Sequence, residues 1–215
     1  HRDLHLSIRR QRQMCIRDSD LPGHDYLLKI APPSRIKTLK SLKIPGSAKT
    51  ASVILLFYPD QKNQPRFVLI LRNTYKGVHS NQIGFPGGKI EKKDTSLFDT
   101  ALRECEEEIG VVKNDIIKVR KLSPVYIPPS NYNVHPFVGC IDYEPNFLLD
   151  PKEVSKIIKP SFETLLNLKI TKSKVIVKDD EQLVPSFIID DYVVWGATAI
   201  MIHEFNLLFK HVLNS

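Results

Sequence analysis

The amino-acid sequence predicts a mixed α/β (α+β) fold in which a mixed β-sheet lies between helices. Three observations lead there. Residues 51–60, ASVILLFYPD, form a continuous apolar run stopped by Pro59, the pattern of a strand buried on both faces. Residues 96–109 carry Phe98, Ala101, Leu102, Cys105 and Ile109 at three- and four-residue steps, the buried stripe of an amphipathic helix. Strand-like and helix-like segments then alternate to the C-terminus, with no internal repeat and no linker of low complexity.

The elements follow in order. Residues 20–50 form a lead-in arm, turn-rich at first and then carrying Lys37, Lys40 and Lys43 among leucines, which reads as a short amphipathic surface segment. After the first strand, PRFVLILRN (residues 65–73) is expected to be its hairpin partner. Thr74 to Gln82 is then a polar loop held by that sheet, the usual seat of functional residues. The helix begins after Asp94, Thr95 or Ser96 as cap. Beyond it come a strand, a Pro-Pro-Ser-Asn loop at residues 128–131 and a strand around His135 to Ile141. A short strand around Val154 to Ile158 precedes a helix begun near Pro160 or Ser161, and residues 171–194 suggest a final hairpin. Ala199, Ile202, Phe205, Leu208 and Phe209 then suit a C-terminal helix covering the sheet.

Length and composition bound the rest. The 215 residues, 42% hydrophobic and 26% charged, suit a single domain, taken as residues 51–215. The net charge of +7 is misleading, because residues 1–19 hold five arginines and two aspartates and show neither periodicity nor an apolar run. That segment reads as a gene-model artefact or a disordered tail, a transit peptide being the competing reading. The remaining basicity is mild and the aromatics are scattered, so no nucleic-acid partner is expected. No stretch is apolar enough to span a bilayer, and the cysteines offer no disulfide framework or paired metal spacing, which points to a cytoplasmic enzyme.

The chemistry concentrates between Gly84 and Val111. Glu104 and Glu108 lie four apart and Glu107 three beyond Glu104, so these carboxylates share one side of the helix and repel. An oxygen-only set of this kind suits a hard divalent cation, Mg²⁺ or Mn²⁺, shared with substrate phosphates. Gly87 and Gly88, just before the helix, let backbone approach an anion or the helix itself.

Residues 88–111 resemble the Nudix box, Gly, five residues, Glu, seven residues, Arg-Glu-apolar-any-Glu-Glu-any-Gly-apolar. Arg103 to Val111 matches the second half at every position; in the first half Asp94 replaces Glu and eight residues separate it from Arg103. Residues 67–88, FVLILRNTYKGVHSNQIGFPGG, are similar to the motif preceding that box in coenzyme A diphosphatases, through Leu69, Arg72, Gln82, Phe85, Pro86, Gly87 and Gly88. Ile70, Asn73, Gly77 and Asn81 depart from it.

The resemblance implies a Nudix α/β/α sandwich and divalent-metal-dependent hydrolysis of the diphosphate of coenzyme A or its acyl esters. It implies Glu104 and Glu108 as metal ligands, with Glu107 a further ligand or a base acting through water. Arg103 would orient these carboxylates through a bidentate pair. Glu153 is the other candidate base, though an ordinary surface glutamate is its simpler reading. Arg72, His79 and Gln82, with Phe85, Gly87 and Gly88, are the candidate substrate-binding residues, and His135 reads as structural. Two alternatives stand beside this one: a Nudix hydrolase of another nucleoside diphosphate derivative such as ADP-ribose or a damaged nucleotide, and a non-catalytic nucleotide-binding regulator. A homodimer is left open.

Overall fold

A computed structural model of the chain describes residues 20–22, 25–33, 36, 43–73, 82–177 and 180–213. The tail at residues 1–19, Lys37 and Lys40 of the lead-in, and His79, Gly77 and Asn81 of the polar loop lie outside the described residues.

Strand β1 (Lys49–Pro59) is the spine. Its apolar run works in two directions, because successive side chains of a strand point to opposite faces. Ala51 and Leu55 enter one apolar cluster, with Val53 and Phe57 packed against it. Ile54, Leu56 and Tyr58 enter a second cluster on the other face. Helix α2 (Leu97–Ile109) covers the second face with Ala101, Cys105 and Ile109. Helix α4 (Gly196–Leu213) covers the first with Ala199, Ile202, Phe205, Leu208 and Phe209, as its spacing predicts. Sheet between helices is therefore the observed arrangement. The short helix α1 (Asp25–Ile30) also belongs to this packing, for Ile30 lies in the first cluster.

β1 runs parallel to β8 (Tyr132–Cys140), from Lys49 beside Tyr132 to Phe57 beside Cys140. β6 (Ile117–Lys121) and β7 (Val125–Ile127) pair antiparallel with the far edge of β8. The other edge of β1 is shared. β2 (Pro65–Phe67) pairs with its end at Phe57–Pro59, and β5 (Gly87–Lys89) with its start at Ala51–Val53.

This sharing corrects the expected hairpin. Only Pro65 to Phe67 form the partner of β1; the chain then leaves, and Leu69–Arg72 becomes β3 of a separate sheet between β4 (Ile83–Gly84) and β9 (Val154–Ile158). The reason is burial of both faces of that strand: Val68 and Ile70 enter the cluster beneath α2, while Leu69 enters the cluster beneath α4. A third sheet joins β10 (Thr171–Val177), β11 (Asp180–Ile189) and β12 (Tyr192–Trp195), extending the expected final hairpin by one strand. Helix α3 (Phe162–Leu166) starts at its Ser161 cap. Among the described residues no helix is long and apolar enough to cross a membrane.

Candidate metal centre

Helix α2 is fixed at both ends by side chains and loops. Ser96 is its cap, its hydroxyl accepting from the Asp99 N–H. At the other end Gly110 adopts the left-handed conformation, φ 73°, and donates to the Glu106 carbonyl. Two further terminal carbonyls, Ile109 and Glu108, accept from the Leu148 and Asp150 N–H groups. Capping the helix in this way draws the 148–153 segment against it, and with it Glu153.

Three carboxylates meet there. Glu104, Glu108 and Glu153 each present a ligand atom, all within 4.8 Å of one another. Glu108 is 1% exposed, and its Oε2 accepts from the Gly87 N–H at 2.8 Å while its Oε1 is buried without a hydrogen bond. Burial pushes its carboxyl up to about 7, against the opposing pull of the Arg72 guanidinium and the Gly87 N–H. Burial also raises Glu104, with Arg103 acting against it. An orphaned buried carboxylate oxygen beside two further carboxylates, with no nitrogen or sulfur donor in the group, fits a hard divalent cation. Glu104, Glu108 and Glu153 are the residues that could hold it.

The two glycines make room for this cluster. A Cβ on Gly88 would sit 2.5 Å from the Glu104 carboxylate, and one on Gly87, at φ 147°, would sit 2.3 Å from the Ser52 carbonyl oxygen. Neither position accepts another residue without displacement. Gly87 and Gly88 thus bring β5 against α2 and expose the Gly87 N–H to Glu108.

Arg103 anchors the helix face from the side. Its Nε and Nη2 donate to Asp94 at 2.8 and 3.1 Å, Nη2 also to the Lys89 carbonyl, and Nη1 is shared by Glu104 and Glu107 at 2.8 Å each. The bidentate pair is therefore made with Asp94, and the active-face carboxylates take the remaining nitrogen. Asp94 also accepts from the Thr100 hydroxyl at 2.9 Å, and Arg103 holds its carboxyl well below the usual carboxylate range. The departure from the box pattern, aspartate with an extra spacer residue, reaches Arg103 all the same. Its importance was visible only as the position where the pattern expects an acid.

Not every expected residue joins the cluster. Glu107 is half-exposed and occupied by Arg103 and Lys93. Phe85, expected to touch substrate, is 3% exposed in the core beneath α4, so its ring anchors the turn instead of facing a ligand. The Gln82 carbonyl accepts from the Arg72 N–H, an extension of the β3–β4 pairing. His135 is half-buried beside Asn133, where burial lowers its pKa, away from any acidic partner that the structure shows. Arg72 does reach the site, 3.5 Å from Glu108 Oε1.

Comparison with known proteins gives the family. The family model of the NUDIX domain matches residues 48–179. The uncharacterized Nudix hydrolase NudL of Photorhabdus laumondii is 30% identical over 144 residues, which cover 66% of this chain and 76% of that protein. The protein of the same name from Escherichia fergusonii is 30% identical over 148 residues, covering 68% and 77%. Among solved structures, a MutT/nudix family protein from Enterococcus faecalis superposes with a TM-score of 0.50 over 86% of this chain and 72% of that one, at 16% identity. The chain belongs to the Nudix hydrolase family. Its sheet between helices is the fold of that family, and enzymes of this family generally use divalent metal ions.

Proposed function

We propose that the chain hydrolyses the diphosphate bond of coenzyme A or an acyl-CoA, releasing 4′-phosphopantetheine, or its acyl form, and adenosine 3′,5′-bisphosphate. The observation that carries the hydrolytic part is the convergence of Glu104, Glu108 and Glu153 beside the Gly87–Gly88 turn. The substrate assignment is supported by Arg72 and the Phe85-Pro86-Gly87-Gly88 turn, the residues similar to the coenzyme A diphosphatase motif.

Mg²⁺ or Mn²⁺ bound by Glu104 and Glu108 would neutralise charge on the phosphoryl oxygens and acidify a water molecule. Glu153, exposed and within reach of both ligands, is the base that takes the proton as the water oxygen attacks phosphorus and the bond to the bridging oxygen breaks. Glu107 is the second candidate, but its carboxylate is engaged by Arg103 and Lys93. Arg103 keeps Glu104 in place, and Arg72 offers N–H donors to substrate phosphate.

Purified protein with Mg²⁺ or Mn²⁺ is to be offered coenzyme A, ADP-ribose and nucleoside triphosphates, with products separated by chromatography. Phosphopantetheine release by the wild type, lost on the order of a hundredfold or more in Glu104→Gln and Glu108→Gln, is the expected result. Turnover of ADP-ribose or a triphosphate without coenzyme A would refute the substrate; undiminished turnover by the glutamine variants would refute the site.

A further inference from the structure

Arg72 sits at the end of β3 with one nitrogen, Nη2, in two interactions. It donates to the Gly87 carbonyl at 2.7 Å and lies 3.5 Å from Glu108 Oε1, the buried oxygen that has no hydrogen bond. The Gly87 N–H meanwhile binds the other oxygen of the same carboxylate. Arg72, the Gly87 peptide and Glu108 thus form a closed circuit across β3, β5 and α2. The same strand end holds Glu153, since the Asn73 N–H donates to the Glu153 carbonyl, and a register irregularity between Leu71 and Arg72 re-aims the strand there.

We infer that Arg72 is the built-in counter-charge of Glu108, neutralising it in the metal-free chain and competing with the divalent cation for that carboxylate. The inference rests on the reading of Glu104, Glu108 and Glu153 as the metal centre. Its physical basis is proximity and burial. Two cations served by one carboxylate oxygen, in a site where Glu108 is 2% and Arg72 24% exposed at the side chain, repel through a medium that screens poorly. A positive charge kept so close limits how tightly the cation is held. It also leaves Arg72 beside the substrate site: among the described residues its Nε and Nη1 have no hydrogen-bond partner, so they remain available to an anion when the carboxylate no longer needs the charge.

A purely structural arginine, kept only to hold the Gly87 turn, predicts the opposite behaviour on removal. Without its clamp the carboxylate would lose its orientation and bind metal less well. Charge competition predicts tighter binding.

The test is Mn²⁺ titration followed by electron paramagnetic resonance, on wild type, Arg72→Met and Arg72→Lys, with thermal melts run with and without Mn²⁺. Arg72→Met keeps the side-chain bulk and loses the charge; its Mn²⁺ dissociation constant is expected to fall on the order of tenfold. Its metal-free melting temperature should drop, and its gain on saturation with Mn²⁺ should exceed that of the wild type. Arg72→Lys keeps the charge and should bind Mn²⁺ as the wild type does. An equal or weaker affinity in Arg72→Met overturns the inference, whether or not its fold is weakened, because a melt with saturating Mn²⁺ shows separately that the variant is folded. Absence of Mn²⁺ binding by the wild type itself would overturn the metal centre and this inference together.

Discussion

At the scale of single residues, Glu108 carries the sharpest consequence. Burial holds its folded-state carboxyl at about 7, above the ordinary 4.5, so between those values the unfolded chain gives up its proton before the folded chain does. The metal-free fold therefore loses stability as pH rises across that window, by up to about 3 kcal/mol once it is complete. Glu108→Gln has no charge to bury. In chelator, its urea denaturation should show a gain over wild type at about pH 8 that vanishes near pH 4.5. An identical difference at both pH values would contradict burial as the origin of the shift. The sequence made Glu104 and Glu108 legible through their spacing, but not which of the acids would be buried. That depends on Gly87, whose N–H reaches Glu108 only because β5 is pressed onto β1, a contact between segments far apart in the chain. Glu107 matches the box pattern equally well and faces outward.

At the scale of the element, helix α2 is stapled from outside by Asp94. Its carboxylate is almost fully buried, receives both Nε and Nη2 of Arg103 and the Thr100 hydroxyl, and closes its own turn by accepting from the Glu91 N–H. Asp94→Ala removes all of these and leaves Arg103, itself 8% exposed at the side chain, without its bidentate partner. A loss of roughly 3–5 kcal/mol in chemical denaturation is expected. A loss below about 1 kcal/mol would mean that Arg103 is held by Glu104 and Glu107 alone. The helix itself, its cap and its apolar stripe were readable from periodicity, because α2 is long enough to show one. β3 was not. Four residues, Leu69–Arg72, continue the apolar run of β2 without a break in composition, and only the double-sided burial of that segment separates them.

At the scale of the whole molecule, two sheets and helix α2 converge on one small volume. β1 and β5 supply the glycine turn, β3 the arginine, the segment entering β9 the third carboxylate, and α2 the first two. The sandwich was foreseeable from the alternation of elements; the role of the second sheet was not, because its strands are short and its partners lie far apart in sequence. Glu153 shows the cost of that. As an isolated acid after a loop it reads as a surface residue, and the capping of α2 by Leu148 and Asp150, together with the Asn73 N–H donating to its carbonyl, brings it to the cluster. The proposed chemistry turns on Glu104 and Glu108 holding the cation with Glu153 beside it. Anomalous diffraction from crystals grown with Mn²⁺ locates the ion itself. A single strong peak at Glu104 and Glu108, on the side of Glu153, is expected; a peak at other residues, or none at saturating Mn²⁺, would contradict the site.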